Sequence, residues 1–174
     1  MNEQDYARGA RTGDGATGIE VRLLGPDDTA PLAAFAERPS VRYVYHPLCH
    51  GWDTCHHVEL RARLSYVTPE MMAALLAVDT NGVIVAAGWG QPSPDRIDAA
   101  DVVLVVEERY RRSPVVSELL ANLAAEVKAK GFNHIVITAM LQTPEDLSDL
   151  RKAGLRVEST SNLGGITEVV SAIE

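Results

Sequence analysis

The sequence predicts a single domain of the α/β (α+β) class, in which helices flank a sheet of several strands. Three patterns support this prediction. Two apolar runs, residues 72–78 and 83–89, stand on either side of an Asn-Gly pair, which is typical of a β-hairpin. Residues 102–106 are apolar at every position, as in a central strand covered on both faces. Between residues 115 and 127, apolar side chains recur every three or four positions, which indicates an amphipathic helix.

The length and composition are those of one globular domain. The chain has 174 residues, of which 46% are hydrophobic and 23% are charged. A chain of this size buries roughly 70% of its unfolded surface. Residues 1–18 are rich in glycine and lack hydrophobic periodicity, so we predict a disordered leader there and a single domain over residues 19–174.

Acidic residues outnumber basic ones. The 16 Lys and Arg against 24 Asp and Glu give a formal net charge of −8 and a pI near 5.1, which argues against nucleic acid and anionic membranes as partners. The apolar stretches are shorter than the ~18 residues that a membrane-spanning helix needs, and the N-terminus lacks the pattern of a secretory signal. We therefore expect a cytoplasmic protein, in which Cys49 and Cys55 are thiols or ligands.

The first half of the chain begins with an alternating strand at residues 19–24. Residues 25–28 (Gly-Pro-Asp-Asp) end this strand and begin a helix that continues over residues 31–38. Residues 39–54 contain aromatic residues and prolines without a clear period, and they predict a long functional loop. Residues 55–66 are predicted to form a short helix from irregularly spaced apolar positions.

The second half contains well-marked helix boundaries. Ser113 is a suitable N-cap, Pro114 stands at the first helical position, and Gly131 ends the helix. A buried strand is predicted at residues 133–138. A second helix is predicted over residues 143–152.

The chain closes with two strands, at residues 155–158 and 167–172, joined through residues 162–165. Thr143 is the N-cap of the helix before them, and Gly154 follows its end. The predicted order is therefore strand, helix, short helix, three strands, helix, strand, helix and two strands.

Three segments of the second half carry a resemblance to a known family. They are Val105-Val106-Glu107-Glu108-Arg109-Tyr110-Arg111-Arg112-Ser113-Pro114-Val115-Val116-Ser117-Glu118-Leu119-Leu120, Lys130-Gly131-Phe132, and Arg151-Lys152-Ala153-Gly154-Leu155. These segments resemble the GNAT superfamily of acyl-coenzyme A dependent N-acyltransferases, in which a central strand runs into a loop of the pattern Gln/Arg-x-x-Gly-x-Gly/Ala. Similarity at the level of motifs covers residues 101–155, and a looser resemblance covers residues 19–172. More narrowly, the sequence is similar to the GNAT domains of bacterial protein lysine acetyltransferases of the Pat kind.

The resemblance implies a mixed, mostly antiparallel central sheet flanked by helices. It also implies direct transfer of an acetyl group from acetyl-CoA, as co-substrate, to an amine, either a small molecule or a protein lysine. Asp101 occupies the position of a carboxylate near the start of the central strand and is the implied general base. From the residues alone, Asp101 is also open to a structural role at the mouth of a buried strand. The tyrosine that the family often uses as an acid would fall at Leu150.

The implied phosphate loop departs from the family's pattern. Arg111 keeps its first position, but Pro114 and Val116 stand where small residues belong, so one N–H is lost and bulk is added. Together with Arg109 and Arg112, Arg111 either supplies positive charge instead or forms a solvated face before a well-capped helix. The cofactor-binding residues that the resemblance implies are Val105, Val106, Arg111, Arg112, Ser113, Val115, Val116 and Thr143.

Six histidines and cysteines fall within twelve residues of the chain: His46, Cys49, His50, Cys55, His56 and His57. This density would suit zinc, but neither the Cys-x2-Cys pairs of structural zinc sites nor a His-Glu-x-x-His helix is present, so no metal ligand is assigned. The other interpretations are a substrate-binding loop, a contact in a homodimer, or a plain connection. In GNAT proteins this stretch usually lines the acceptor side, so the resemblance implies His50 as a second candidate base.

The sequence leaves two alternatives to an active acyltransferase. The residues at Pro114, Val116 and Leu150 favour a GNAT-fold module that has lost transfer activity and binds a ligand or partner. The loop rich in histidine and cysteine leaves a metal-binding protein as the other alternative.

Overall fold

The computed structural model of the chain describes residues 18–45, 62, 64–139 and 147–174. Within these residues, eight strands form one sheet. The strands are β1 (Ile19–Leu23), β2 (Val41–Tyr45), β3 (Ala73–Asp79), β4 (Ile84–Pro92), β5 (Ala99–Glu107), β6 (His134–Ala139), β7 (Leu155–Leu163) and β8 (Ile166–Ile173). The helices that flank the sheet are α1 (Thr29–Ala36), α2 (Pro114–Ala129) and α3 (Ser148–Lys152).

The sheet is mixed and mostly antiparallel. Its strands lie in the order β1-β3-β4-β5-β6-β8-β7, and β2 pairs with β5 outside this path. β5 and β6 are parallel, whereas each of the other neighbouring pairs described is antiparallel. This sheet confirms the fold class that the sequence predicts.

Different helices bury the two faces of the sheet. α2 packs on one face, where Leu119, Leu120 and Leu123 are fully buried. α1 covers the other face through Leu32 and Phe35. β5 contributes alternate residues to both cores, because successive side chains of a strand point to opposite faces. The prediction of a central strand at residues 102–106 is therefore confirmed.

The close approach of α2 to the sheet requires a glycine in β4. A Cβ atom on Gly88 would lie 2.5 Å from Cδ1 of Leu123 and 2.8 Å from Cδ1 of Leu104. Both leucines are fully buried, so a larger residue at this position would push α2 away from β4. The position of α2, and of the loop before it, depends on this contact.

The hairpin between β3 and β4 forms as predicted, but only one residue of its Asn-Gly pair has positive φ. Gly82 has a φ of +75°, whereas Asn81 has a negative φ. The carboxylate of Asp79 accepts hydrogen bonds from the N–H groups of Asn81 and Val83, both at 2.9 Å. The two hydrogen bonds to Asp79 hold the turn in a geometry that needs positive φ only at Gly82.

Helix α2 begins and ends where the sequence predicts. Oγ of Ser113 accepts a hydrogen bond from the N–H of Val115 at 3.4 Å, and a proline occupies the first helical position. At the other end, Gly131 has a φ of +92°, and the N–H of Phe132 donates to the carbonyl of Val127 at 3.3 Å. This Schellman arrangement satisfies carbonyl groups that the end of a helix leaves unpaired.

The prediction of a loop over residues 39–54 is wrong at its beginning, where β2 forms. Val41 is 2% exposed, and the strand pairs with the end of β5. Sequence periodicity does not reveal this strand, because the partner edge on β5 stabilises it and its own residues do not alternate. Residues 46–54 of the predicted loop lie outside the described residues.

The other differences concern the ends of elements. β7 extends beyond the predicted end at residue 158, because β8 pairs along its length. The predicted helix over residues 143–152 is described only from residue 147, so its N-cap lies outside the described residues. Of the helix predicted at residues 55–66, Ala62 and Leu64 are described as helical. Residues 1–17 of the predicted leader lie outside the described residues.

Candidate active site

Two parallel strands separate at the centre of the sheet. β5 and β6 pair only where residues 99–101 lie beside residues 134–136. β5 then continues to Glu107 and β6 to Ala139, without further pairing between them. Asp101 is the last residue of β5 paired with β6 and therefore lies where the two strands diverge.

A cavity of about 180 Å³ opens beside this divergence, on the face of the sheet that α1 covers. Asp101 lines it together with Gln91 on β4 and with Val136 and Thr138 on β6. The remaining lining residues are Tyr66, Val67, Met71, Trp89, Val102 and Val103. The cavity thus holds one carboxylate, with two further polar side chains, Gln91 and Thr138, among apolar and aromatic ones.

Burial raises the pKa of the Asp101 carboxyl above its usual value. A hydrogen bond with the side chain of Ser93 opposes this shift, the charges of Glu168 and Asp95 reinforce it, and the charge of Arg96 opposes it. A carboxylate with a raised pKa accepts a proton from an ammonium group more readily than an ordinary exposed one. Asp101 can therefore act as a base towards an amine in the cavity.

The two edges of β5 are occupied differently. One edge pairs with β4 from Ala100 to Val106. The other edge pairs with β6 as far as Asp101 and then with β2 from Leu104 to Glu107. β2 also contacts β6, so it lies in the gap between the two diverging strands.

β5 leads directly to the predicted phosphate loop. A 3-10 turn over Glu108–Tyr110 connects the strand to the segment before α2. The N–H of Arg111 donates to the carbonyl of Glu108 at 3.1 Å, and the N–H of Ser113 donates to the carbonyl of Tyr110 at 2.9 Å. These two donors are therefore engaged within the loop itself.

The first turn of α2 also engages its own donors. Pro114 has no N–H. The N–H of Val115 donates to Oγ of Ser113, and the N–H of Val116 donates to the carbonyl of Ser113, each at 3.4 Å. Both bonds are longer than the ordinary length of about 2.9 to 3.0 Å, so an anion could replace them as acceptor. The N-terminus of α2 therefore keeps a reduced capacity for phosphate.

The arginines of the loop lie beside this helix N-terminus. Nε of Arg109 is 3.1 Å from a carboxylate oxygen of Glu107, and its guanidinium lies 4.8 Å from the ring centroid of Tyr110. Arg112 is exposed and Arg111 is partly buried. Arg111 and Arg112 lie directly before the N-terminus of α2, and the charge of Arg109 is offset by Glu107. A role of Arg111 and Arg112 in binding phosphate stays a prediction.

Four valines that the resemblance implied as cofactor contacts lie in the core. Val105, Val106 and Val116 have no exposed surface, and Val115 is 1% exposed. Their backbone groups are thus the parts that a cofactor could contact. Leu150, where the family's tyrosine would fall, is also 1% exposed and packs in the same core as α2.

The predicted residues outside the described part of the chain are His50, Thr143 and the rest of the cluster, His46, Cys49, Cys55, His56 and His57. Among the described residues, no group of three or more His, Cys, Asp or Glu side chains could hold a metal ion. Zinc at the cluster stays a prediction.

Sequence reasoning missed the residues that surround Asp101 in the cavity. Trp89 and Gln91 lie on β4, whereas Tyr66 and Met71 come before β3. No local pattern marks them, because they approach Asp101 only through the folding of the sheet. One signal was present: alternation along the two strands predicts Gln91 beside Asp101 once β4 and β5 are paired in register.

Comparison with solved structures decides which known fold this is. The chain matches the GNAT domain of S. lividans PAT with a TM-score of 0.67 at 17% identity, over 99% of both chains. It matches a GNAT-family acetyltransferase from Streptococcus pneumoniae with a TM-score of 0.62 at 20% identity, over 90% of this chain and 99% of that one. The chain has the GNAT fold. A GNAT superfamily phosphinothricin acetyltransferase from Sinorhizobium meliloti, solved in complex with acetyl-CoA, gives a TM-score of 0.64 at 16% identity, over 89% of this chain and 87% of that one.

The GNAT fold confirms the resemblance that the segments around α2 carry. No family model and no curated protein matched the sequence. In the part of the chain that is described, none of the helices has the length and apolar character needed to cross a membrane.

Proposed function

We propose that this protein is an acyl-CoA dependent N-acyltransferase that transfers an acetyl group from acetyl-CoA directly to an amine. The observation that carries the proposal is the place of Asp101, in a cavity where β5 and β6 diverge. The same strand β5 runs from this carboxylate to the N-terminus of α2. In this proposal, a base for an amine and a site for phosphates would lie at the two ends of one strand. The acetyl-CoA in the phosphinothricin acetyltransferase complex supports the same donor here.

The donor would lie along β5, with its phosphates beside α2. Arg111 and Arg112 would bind the phosphates mainly through charge, because the loop engages much of its own backbone. The N–H groups of Val115 and Val116 would add donors once their long bonds to Ser113 are replaced. The backbone groups of Val105 and Val106 and the predicted contact of Thr143 belong to the same proposal.

In this mechanism Asp101 takes a proton from the ammonium group of the acceptor. The amine nitrogen then bonds to the acyl carbon, the bond from that carbon to sulfur breaks, and the nitrogen releases its second proton to water. Leu150 has no group that donates a proton, so the leaving thiolate receives its proton from the same water. Apolar walls such as Trp89 limit solvent around Asp101 and keep its pKa raised. His50 is the second candidate base.

The cavity favours an amine on an apolar carrier. Trp89, Met71 and Val103 offer apolar contact. Asp101 supplies negative charge that attracts a cation, whereas the charge of the nearby Glu168 is offset by Arg96 at 3.2 Å. A protein lysine meets both requirements, since its ammonium stands on an apolar chain, and so does a small aliphatic or aromatic amine.

The test is acetyl transfer by the purified full-length chain. Thiol release from acetyl-CoA is measured with a panel of small amines and lysine-containing peptides. We expect Asp101→Asn to lower kcat by about 10²-fold or more. Asp98→Asn is the matched control, because Asp98 bonds to His134 at 2.9 Å and does not line the cavity. Equal rates in the two variants would contradict the role of Asp101.

A binding module without transfer activity is the second candidate. The engaged N–H groups before α2 and the buried Leu150 favour it. In this case acetyl-CoA raises the Tm without turnover of any amine, since a ligand at 100 times its Kd adds about 2.7 kcal/mol to the free energy of unfolding. Absence of both a Tm shift and turnover would contradict both candidates.

A further inference from the structure

We propose that β2 is an autoinhibitory strand, which occupies the edge of β5 that the acyl donor needs and leaves it when the donor binds. This inference rests on the proposed function, because it assumes a donor that reaches from α2 to Asp101. Its basis is the pairing of β2 with β5 in the gap beside β6.

The path of the donor follows from the positions of its two ends. Its phosphates lie beside α2 and its acyl group beside Asp101. β5 connects these points, and the six residue steps from Asp101 to Glu107 span about 20 Å at roughly 3.3 Å per residue. An extended arm between the two points therefore runs parallel to this part of β5.

Only one edge of β5 could receive that arm. The edge facing β4 is paired from Ala100 to Val106. The opposite edge is paired with β6 only as far as Asp101, so its remainder faces the gap. β2 fills this remainder, with Arg42 opposite Val106. The donor and β2 thus require the same backbone groups of β5.

The amide groups of the coenzyme A arm give a further reason why the donor and β2 compete for the same edge of β5. The arm of coenzyme A contains two amide groups, which lose their water when they enter a gap between strands. The N–H and C=O groups on the open edge of β5 are natural partners for such amides. As long as β2 is paired there, these groups are engaged.

β2 is a strand that can be released at modest cost. It is short, and its register with β5 shifts between Tyr43 and Tyr45. Among the described residues, its registered pairing is with β5 alone, because its contact with β6 forms no registered pairs. Val41 is buried and stays as an anchor, so release of residues 42–45 suffices.

Hydrogen exchange on the full-length chain tests the displacement directly. Without ligand, those amides of residues 42–45 that point to β5 should be protected, because alternate N–H groups of the strand face that edge. Saturating coenzyme A should make them exchange faster, while the amides of residues 115–117 exchange more slowly. An ordinary ligand would instead slow exchange at its contacts or leave it unchanged. The proposal would be overturned if none of the amides at 42–45 were protected without ligand, or if coenzyme A did not release the protected ones.

Proline variants test the same point through affinity. Adjacent N–H groups of a strand point to opposite edges, so either Arg42→Pro or Tyr43→Pro removes a donor from the β2–β5 ladder. Arg42→Ala and Tyr43→Ala lose the same side chains but keep the N–H groups. If β2 is paired in nine molecules out of ten, its release should tighten coenzyme A binding about tenfold in at least one proline variant relative to its alanine control.

The outcomes separate this inference from the proposed function. Circular dichroism first establishes that each variant is folded. If a proline variant is not folded, hydrogen exchange on the unaltered chain alone tests the role of β2. Binding of coenzyme A with β2 still paired, or with no proline variant tighter than its alanine control, would overturn the role of β2 alone. Absence of binding by the unaltered chain and by all four variants would overturn the proposed function as well.

Discussion

The surroundings of Asp101 disfavour the ionised form of its carboxyl. Asp101 lines a cavity of apolar and polar side chains at the point where β5 leaves β6, and partial burial raises the pKa of its carboxyl. For stability alone, an uncharged residue would be favoured at this position, since a half-buried carboxylate loses part of its hydration. The same environment makes the carboxylate a better base, which is typical of functional sites.

We expect Asp101→Asn to have a slightly higher Tm than the unaltered chain near neutral pH, by about 1 °C, because solvent screens the partly exposed carboxylate. The pKa of the Asp101 carboxyl is higher in the folded chain than in the unfolded chain, where it is about 3.9, so ionisation of this carboxyl destabilises the folded state. The stability of the form with protonated Asp101 is therefore fully present below about pH 3.9 and is lost as the pH rises through the folded-state pKa. The difference between the two proteins should therefore vanish in acid. Thermal unfolding from about pH 3.5 to about pH 8 measures it. If Asp101→Asn were less stable than the unaltered chain at neutral pH, the ionised carboxylate of Asp101 would not destabilise the folded state.

At the scale of an element, α2 combines a predictable helix with an altered N-terminus. Ser113 caps the helix, and a Schellman arrangement ends it. The small residues of the family's loop are replaced by Pro114 and Val116, and the structure engages the remaining donors with acceptors of the loop itself. Charge from Arg111 and Arg112 is then the main attraction that this end of the helix offers to phosphates.

The double variant Arg111→Ala, Arg112→Ala should therefore weaken coenzyme A binding strongly. Charge-assisted hydrogen bonds contribute about 1.5 to 3 kcal/mol each, so we expect the Kd to rise by a factor of roughly 10² or more. The control is Lys152→Ala with Arg156→Ala, which changes the net charge equally, in α3 and β7. Calorimetric titration of both double variants measures the effect. Equal affinities would place the phosphates elsewhere.

At the scale of the whole molecule, one ion pair ties the first strand to the first helix. Nη1 and Nη2 of Arg22 on β1 lie 2.6 and 2.7 Å from the two carboxylate oxygens of Asp28, which precedes α1. The same carboxylate accepts a hydrogen bond from the N–H of Gly25, with 2.7 Å between the nitrogen and Oδ2. β1 is an edge strand of the sheet, and α1 covers the face on which Leu32 and Phe35 are buried. The ion pair therefore holds β1 and α1 together at the edge of that core.

Acid should weaken the ion pair between Arg22 and Asp28. The hydrogen bonds from Arg22 lower the pKa of the Asp28 carboxyl despite its burial. The stabilisation is thus present above the unfolded value of about 3.9 and is lost as the pH falls through the folded pKa. Asp28→Asn should cost about 1 to 2 kcal/mol at neutral pH, the lower end reflecting the 35% exposure of Arg22.

Urea unfolding at about pH 7 and about pH 3 measures this difference. Asp27→Asn, at the exposed neighbouring position, is the control and should leave the free energy of unfolding unchanged. If Asp28→Asn lost as much stability in acid as at neutral pH, the ion pair would not be the source of the pH dependence.

Much of the fold is predictable because its signals are local. The apolar run at residues 102–106, the cap at Ser113 and the glycine at Gly131 each act within a few residues of chain, and each is where the sequence predicts it. The site is less predictable. Asp101 and Arg111 follow from the family resemblance, but Trp89, Gln91 and the other cavity residues carry no local signal.

The sequence by itself determined the class of the fold, the central strand and the boundaries of α2, since hydrophobic period and capping depend on neighbours along the chain. Only the tertiary structure decided that β2 exists and that β5 and β6 diverge at Asp101. It also decided that Trp89 and Gln91 lie beside Asp101 in one cavity. The reason is physical: pairing along a strand edge and burial in a cavity depend on groups far apart in sequence, and these meet only when the whole sheet has formed.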